Sequence, residues 1–229
     1  MANANANPVN SEQAAEELLL GYASGALPEA VSVLVATQLA LRPGLRRAVA
    51  EFEDIGGALL EEIEPVPLSE NALDAALADI SANDDAPENV AVMPAGSDPE
   101  TEEIVPQPLR SYLGGPLGTL AWRKRGPGIE EVRIPVSDDR FEMSLIRLKP
   151  GRKVPDHGHE GSELTLVLDG AFSDAGGRYA RGDLAVNGED DQHAPMADPE
   201  LGCICVAITG GPLKFSNPLV RFFDRITRG

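Results

Sequence analysis

Apolar positions change their period along this chain, and the change falls near residue 105. From Ser11 to about Ile80 they recur at three- and four-residue spacings, which predicts four short helices. Ser11 is suited to cap a first helix carrying Ala15, Leu18, Leu19 and Tyr22 inward, with Gly25 at its stop. Pro28 fits the first turn of a second helix through Leu34 to Leu41, and Pro43 breaks it and opens a third. Leu45, Val49, Phe52, Leu59 and Ile63 form one stripe of that third helix, despite the Gly56-Gly57 pair inside it. After Pro65 and Pro67, Ser69 is placed to cap a fourth helix with Leu73, Ala76, Leu77 and Ile80 facing inward.

Residues 81–105 break the pattern, being rich in Pro, Asp, Glu and Ser, and read as a flexible acidic linker. Beyond Pro106 the period shortens to β-rich runs punctuated by Gly and Pro. These runs are Ala121 to Arg125, Glu130 to Val136, Arg140 to Leu148, Glu163 to Gly170, Asp183 to Asn187 and Cys203 to Thr209. Several short strands at such spacing predict a β-sandwich or barrel, and periodicity alone does not choose between them. The expected organisation is thus α+β and multidomain: an all-α bundle over residues 1–80, the linker, and an all-β domain over residues 106–229.

Charge sharpens this division. Residues 1–105 hold 20 Asp and Glu against three Lys and Arg, a net of -17, whereas residues 106–229 hold 17 against 16, a net of -1. Such an acidic helical half repels nucleic acid and favours basic partners, so no direct nucleic-acid binding is expected. No apolar run approaches the roughly 20 residues needed to cross a bilayer, and the uncharged Asn/Ala-rich start is unlike a secretory signal. A cytoplasmic protein without a membrane partner is therefore expected. The two cysteines, Cys203 and Cys205, supply no disulfide framework, which is consistent with a reducing compartment.

The chemistry is concentrated in Gly151 to Gly170, GRKVPDHGHEGSELTLVLDG, which reads Gly-x5-His-x-His-x3-Glu-x6-Gly. Strand residues two apart share a face, so His157 and His159 can aim at one ion. A short turn lets Glu163 add an oxygen, and His193, thirty residues on, can close the set. These are the only three histidines in the chain. Imidazole with carboxylate suits divalent zinc, iron, manganese, nickel or copper.

That spacing resembles the first motif of the cupin superfamily at every fixed position. Gly182 and His193 match the second cupin motif, whereas Gly188 and Asp190 replace its internal Pro and Gly, and Ala197 stands in place of its trailing Asn. The resemblance implies a double-stranded β-helix, or jelly roll, with the metal in its mouth. A resemblance covering nearly the whole chain rests on LLLGYASGALPEAVSVLVATQLALRPGLRRAVAEFEDIGGALLEE, VPDHGHEGSELTLVLDGAFSD and LGCICVAIT, which look like the ChrR-type anti-sigma factors. It implies a helical domain that binds and inhibits an extracytoplasmic-function sigma factor, followed by a cupin domain that takes part in the response to oxidants. It also implies one divalent ion in the cupin domain, zinc first and iron or manganese next.

The sequence departs from that family in its helical half, where the family's His-x3-Cys-x2-Cys zinc motif falls on Gln38, Arg42 and Leu45, and an earlier His falls near Gln13. None of these is an ordinary zinc ligand, so no metal is expected there. Leu45 is expected to fill the former site with apolar surface while Gln38 and Arg42 turn to solvent. Cys203 and Cys205, two apart on one strand, read either as small buried hydrophobes or as an oxidant-sensitive thiol pair. The competing function is a cupin metalloenzyme, a dioxygenase or isomerase with a degenerate helical domain. The same four ligands serve both functions.

Overall fold

A computed structural model describes residues 8–83, 98–159, 161–210 and 213–215. Among the described residues four helices come first: α1 Pro8–Ala23, α2 Glu29–Leu41, α3 Arg46–Glu61 and α4 Ala72–Asn83. A single 3-10 turn, Pro43–Leu45, separates α2 from α3, because Pro43 has no amide hydrogen to continue the helix. The first helix begins at Pro8, so Ser11 lies within it rather than at its cap.

In α2, Ala30, Val31, Val33, Leu34, Val35, Thr37 and Leu39 are all buried. A helix that is apolar around its whole circumference belongs inside, and α2 packs on the β domain as well as among helices. The fourth helix behaves differently. Leu73, Leu77 and Ile80, expected to face inward, are exposed, as are Ile55, Leu59 and Leu60 along the distal part of α3 and Ile63 just beyond it. Their helical spacing was legible, but spacing alone does not say which partner covers a stripe.

Residues 98–105, within the stretch read as a flexible linker, are structured. Asp98 caps α5 Pro99–Ile104 by accepting from the Thr101 amide at 2.8 Å, and Thr101 and Val105 are buried. Residues 84–97 lie outside the described part of the chain. A short α6, Gln107–Arg110, then packs against α2.

Ten antiparallel strands follow among the described residues: β1 Arg123–Gly126, β2 Ile129–Ile134, β3 Glu142–Leu148, β4 His157–His159, β5 Glu163–Asp174, β6 Gly177–Ala180, β7 Leu184–Asn187, β8 Met196–Ala197, β9 Cys203–Thr209 and β10 Leu213–Phe215. The main sheet runs β1-β2-β3-β9-β5-β6, with β7 and β8 also on β5, and β10 pairs with β4. β5 is the hinge of the jelly roll: its first half pairs with β9 and β7, its second with β6 and β8. The strand passes between the two at Gly170, whose positive φ of 66° and 2.3 Å approach of a notional Cβ to the Gly202 carbonyl oxygen leave room for glycine alone. This passage is why β5 continues four residues beyond the run expected from sequence.

Alternation gives the sheet two chemistries. Leu145, Leu164, Leu166, Leu168, Val206 and Ile208 face the helices and share one apolar core with Leu34, Val35 and Leu109. On the other face, Leu148, Val167, Ala185, Cys203 and Cys205 form a second cluster, and Glu163 lies on this face at the upper end. No described helix is long and apolar enough to cross a membrane.

Candidate metal centre

Three pieces of backbone bring the four expected ligands together. β4 presents His157 and His159 on one face, with Gly158 between them. His193 stands directly opposite His157, because the two residues exchange both backbone hydrogen bonds, each at 3.0 Å. Glu163 opens β5, flanked in register by Asn187 of β7 and Thr209 of β9.

The donor atoms of His157, His159, Glu163 and His193 all lie within 4.8 Å of one another, and all four residues are buried. His193 Nε2 lies 3.2 Å from the Nε2 atoms of both His157 and His159, and 3.2 Å from Glu163 Oε2; His159 Nε2 lies 3.3 Å from the same oxygen. Ligands around a tetrahedral ion with bonds of about 2.0 to 2.1 Å stand about 3.3 Å apart. Geometry and donor chemistry therefore fit a divalent cation such as zinc, with no side chain having to move far.

The outer contacts orient the rings. His157 Nδ1 donates to the Pro155 carbonyl oxygen at 2.8 Å, and His193 Nδ1 donates to Asp174 Oδ2 at 3.2 Å, which turns both Nε2 atoms toward the centre. His159 Nδ1 is buried without a partner among the described residues. Asp174 was not singled out from sequence. It sits at the far end of β5, eleven residues from Glu163, and only the bend in that strand brings it behind His193.

Electrostatics agree with the geometry. Burial holds His157 below its ordinary value and His159 down at about 4, so both are neutral ligands near pH 7. Burial opposes charge on His193 as well, but the hydrogen bonds to Asp174 and Glu163 outweigh it and raise the group to about 9. Burial also raises Glu163, yet the His193 hydrogen bond and the surrounding imidazoles leave its carboxyl below the usual value. The centre is thus built to hold positive charge between two carboxylates. A dication among the Nε2 atoms meets that demand in place of the proton on His193.

Cys203 and Cys205 are free thiols, both buried on the Glu163 face of the sheet. The Cys203 thiol, burial and the charge of Glu163 all push Cys205 well above the ordinary thiol value. That suppresses the thiolate, the form that reacts with oxidants. In the helical half, Gln38 and Arg42 are not simply turned to solvent as expected: Gln38 Nε2 donates to the Gly182 carbonyl oxygen at 3.5 Å, and Arg42 forms an ion pair with Asp183. Leu45 is half-buried against the apolar core.

Comparison with known proteins places these features. A family model described as the ChrR cupin-like domain matches residues 116–212. The anti-sigma-E factor ChrR of Cereibacter sphaeroides is 38% identical over 215 residues, covering 92% of this chain and 96% of its own length. A chain in the crystal structure of Rhodobacter sphaeroides SigE in complex with the anti-sigma ChrR superposes with a TM-score of 0.69 at 37% identity, over 85% of this chain and 96% of that one.

Proposed function

Because this chain belongs to the ChrR family of anti-sigma factors, we propose that it binds and inhibits an extracytoplasmic-function sigma factor through its helical half. The observation that carries this reading is the unpartnered apolar surface of α3 and α4. Ile55 and Leu59 follow one face of α3, Ile63 continues it just past the helix end, and Leu73, Leu77 and Ile80 follow one face of α4, each 53 to 70% exposed. Val66 and Leu68 between the helices are more exposed still. Burying each such side chain is worth about 1.5 to 3 kcal/mol, so a surface of this kind is costly unless a partner covers it. Acidic residues flank it, which favours a basic partner over nucleic acid itself.

The cupin half, on this reading, holds one divalent ion through His157, His159, Glu163 and His193 and tunes release of the sigma factor under oxidative stress. Zinc is the first choice, with iron or manganese behind it, since four protein ligands complete a tetrahedron as structural zinc sites do. A bound ion would supply positive charge that fixes the four side chains and thereby the strands that carry them. The cysteine pair is retained as a weaker proposal for oxidant sensing, limited by its burial. An enzymatic role finds less support: Arg178 pairs with Asp198, Tyr179 stacks on Phe172, and Asp174 is committed to His193. The protein is proposed to act in the cytoplasm, where a sigma factor works.

Co-purification of the full chain with an extracytoplasmic-function sigma factor tests the central claim. Leu59→Asp and Leu77→Asp, both at exposed positions, should keep the helical circular dichroism and weaken binding by about tenfold or more. Undiminished binding by both variants would show that this surface is not the contact.

A further inference from the structure

The helix α2 is fastened to the β domain at both ends. At its start, Glu29 accepts hydrogen bonds from the Ser137 amide at 2.6 Å and the Tyr112 hydroxyl at 3.0 Å, and also from the Ser137 hydroxyl. At its end, Gln38 and Arg42 reach the turn between β6 and β7. That turn, residues 181–183, is a hub. Arg181 donates to the Glu103 and Ile104 carbonyl oxygens of α5, at 2.5 and 3.3 Å, and to the Leu168 carbonyl oxygen of β5. Gly182 takes a φ of 84°, and a Cβ there would lie 2.9 Å from Arg42 Nε, so glycine admits the arginine. Asp183 splits its carboxylate, one oxygen accepting from the Ala180 amide at 2.8 Å and the other from Arg42.

The same turn is bonded to the strand that bears the metal ligand. The Gly182 amide donates to the Val167 carbonyl oxygen at 2.8 Å, and the Val167 amide donates to the Asp183 carbonyl oxygen at 3.1 Å. From there β7 runs back along β5 in unbroken register, Leu184 against Leu166 and finally Asn187 against Glu163. Four residues of rigid ladder therefore separate the ion pair from a metal ligand.

We propose that the Arg181-Gly182-Asp183 turn is an interdomain latch, gripping α2 through Gln38 and Arg42 and α5 through Arg181, and that it carries the state of the metal centre to the helical half. Gln38 and Arg42 occupy two positions of the zinc motif described above for the resembling family. In this chain they clamp one domain on the other. The coupling part of the proposal rests on the metal reading; the clamp itself does not.

Hydrogen exchange of the full chain tests both parts, using zinc-loaded and chelator-treated protein, the parent and the variants Arg42→Gln and Asp183→Asn. Asparagine keeps one oxygen to accept from Ala180 and turns an amide NH2 toward Arg42, removing both the charge and the acceptor there. In the parent, chelation should quicken exchange at residues 38–41 by about threefold or more. In the variants exchange there should already be quick, and chelation should add nothing. Variants that exchange as slowly as the parent overturn the latch, and variants that loosen while still responding fully to chelation overturn its role as the route. Zinc content of the same samples separates this from the metal reading. If the parent binds no zinc the metal centre falls, and quickened or unchanged exchange in the variants then supports or overturns the clamp.

Discussion

Asp174 Oδ2 accepts the Nδ1 hydrogen of His193 at 3.2 Å, and so dictates which nitrogen of His193 faces the other three ligands. A carboxylate behind a ligating imidazole fixes the ring and raises its basicity, and loss of such a partner typically costs 10- to 100-fold in metal affinity. Asp174→Asn should therefore lower zinc affinity by about that factor while leaving about one ion per chain at saturation. His157→Ala with His159→Ala should abolish binding. Competition against a chromophoric chelator, with elemental analysis, measures both. Full affinity in Asp174→Asn would remove that residue from the centre.

Core and surface leucines should part company. Leu34 is fully buried in α2, where the helical and β halves share one core, so Leu34→Ala should cost about 2 to 5 kcal/mol. Leu77 on α4 is 53% exposed, and Leu77→Ala should stay within about 0.5 kcal/mol of the parent. Urea unfolding of the two variants reads the difference directly. Comparable losses would mean that α4 packs on something in the free chain.

That His157, His159, Glu163 and His193 would gather was legible because metal chemistry restricts residue type and strand geometry restricts spacing: His157 and His159 stand two apart, and Glu163 follows one short turn later. The four opening helices were legible from Pro28, Pro43 and the apolar period. Asp174 was not, because its role depends on the bend of β5 at Gly170, a tertiary event that brings together residues far apart in sequence. The outward face of Leu73, Leu77 and Ile80 was misread for a related reason. An amphipathic stripe declares that it will be covered, and leaves open whether the cover is the same chain. Arg42 was expected to reach solvent, since nothing local to α2 announces Asp183 some 140 residues on.

Association with a sigma factor should depend on salt. The half of the chain up to residue 105 carries a net charge of -17, and exposed charges more than about 8 Å apart are largely screened near 0.15 M salt. The association rate should fall steeply as salt rises, whereas dissociation, set by the apolar contacts of α3 and α4, should change little. Stopped-flow binding across a salt series checks this. A salt-independent association rate would take the acidic field out of the recognition step.

The last expectation concerns acid and the start of α2. The Ser137 hydroxyl and amide, and the Tyr112 hydroxyl, donate to Glu29 and hold its carboxyl below the ordinary 4.5, against a small opposing effect of burial. A carboxylate whose folded value is depressed binds its proton more readily in the unfolded chain. Its contribution to stability is therefore fully present well above 4.5 and is lost as pH falls through the lower folded value. Because Glu29 is only half-buried, solvent screening keeps that contribution small, and a local signal reports it better than global unfolding does. The amide proton of Ser137 should shift with a midpoint below 4.5, and Glu29→Gln should remove that transition. The stability difference between parent and Glu29→Gln should be constant from neutral pH down to about 5.5 and should shrink below it. A Ser137 midpoint at or above 4.5 would mean that Glu29 gains nothing from its contacts, and that α2 is held to the β domain by its apolar face and the Arg42 end alone.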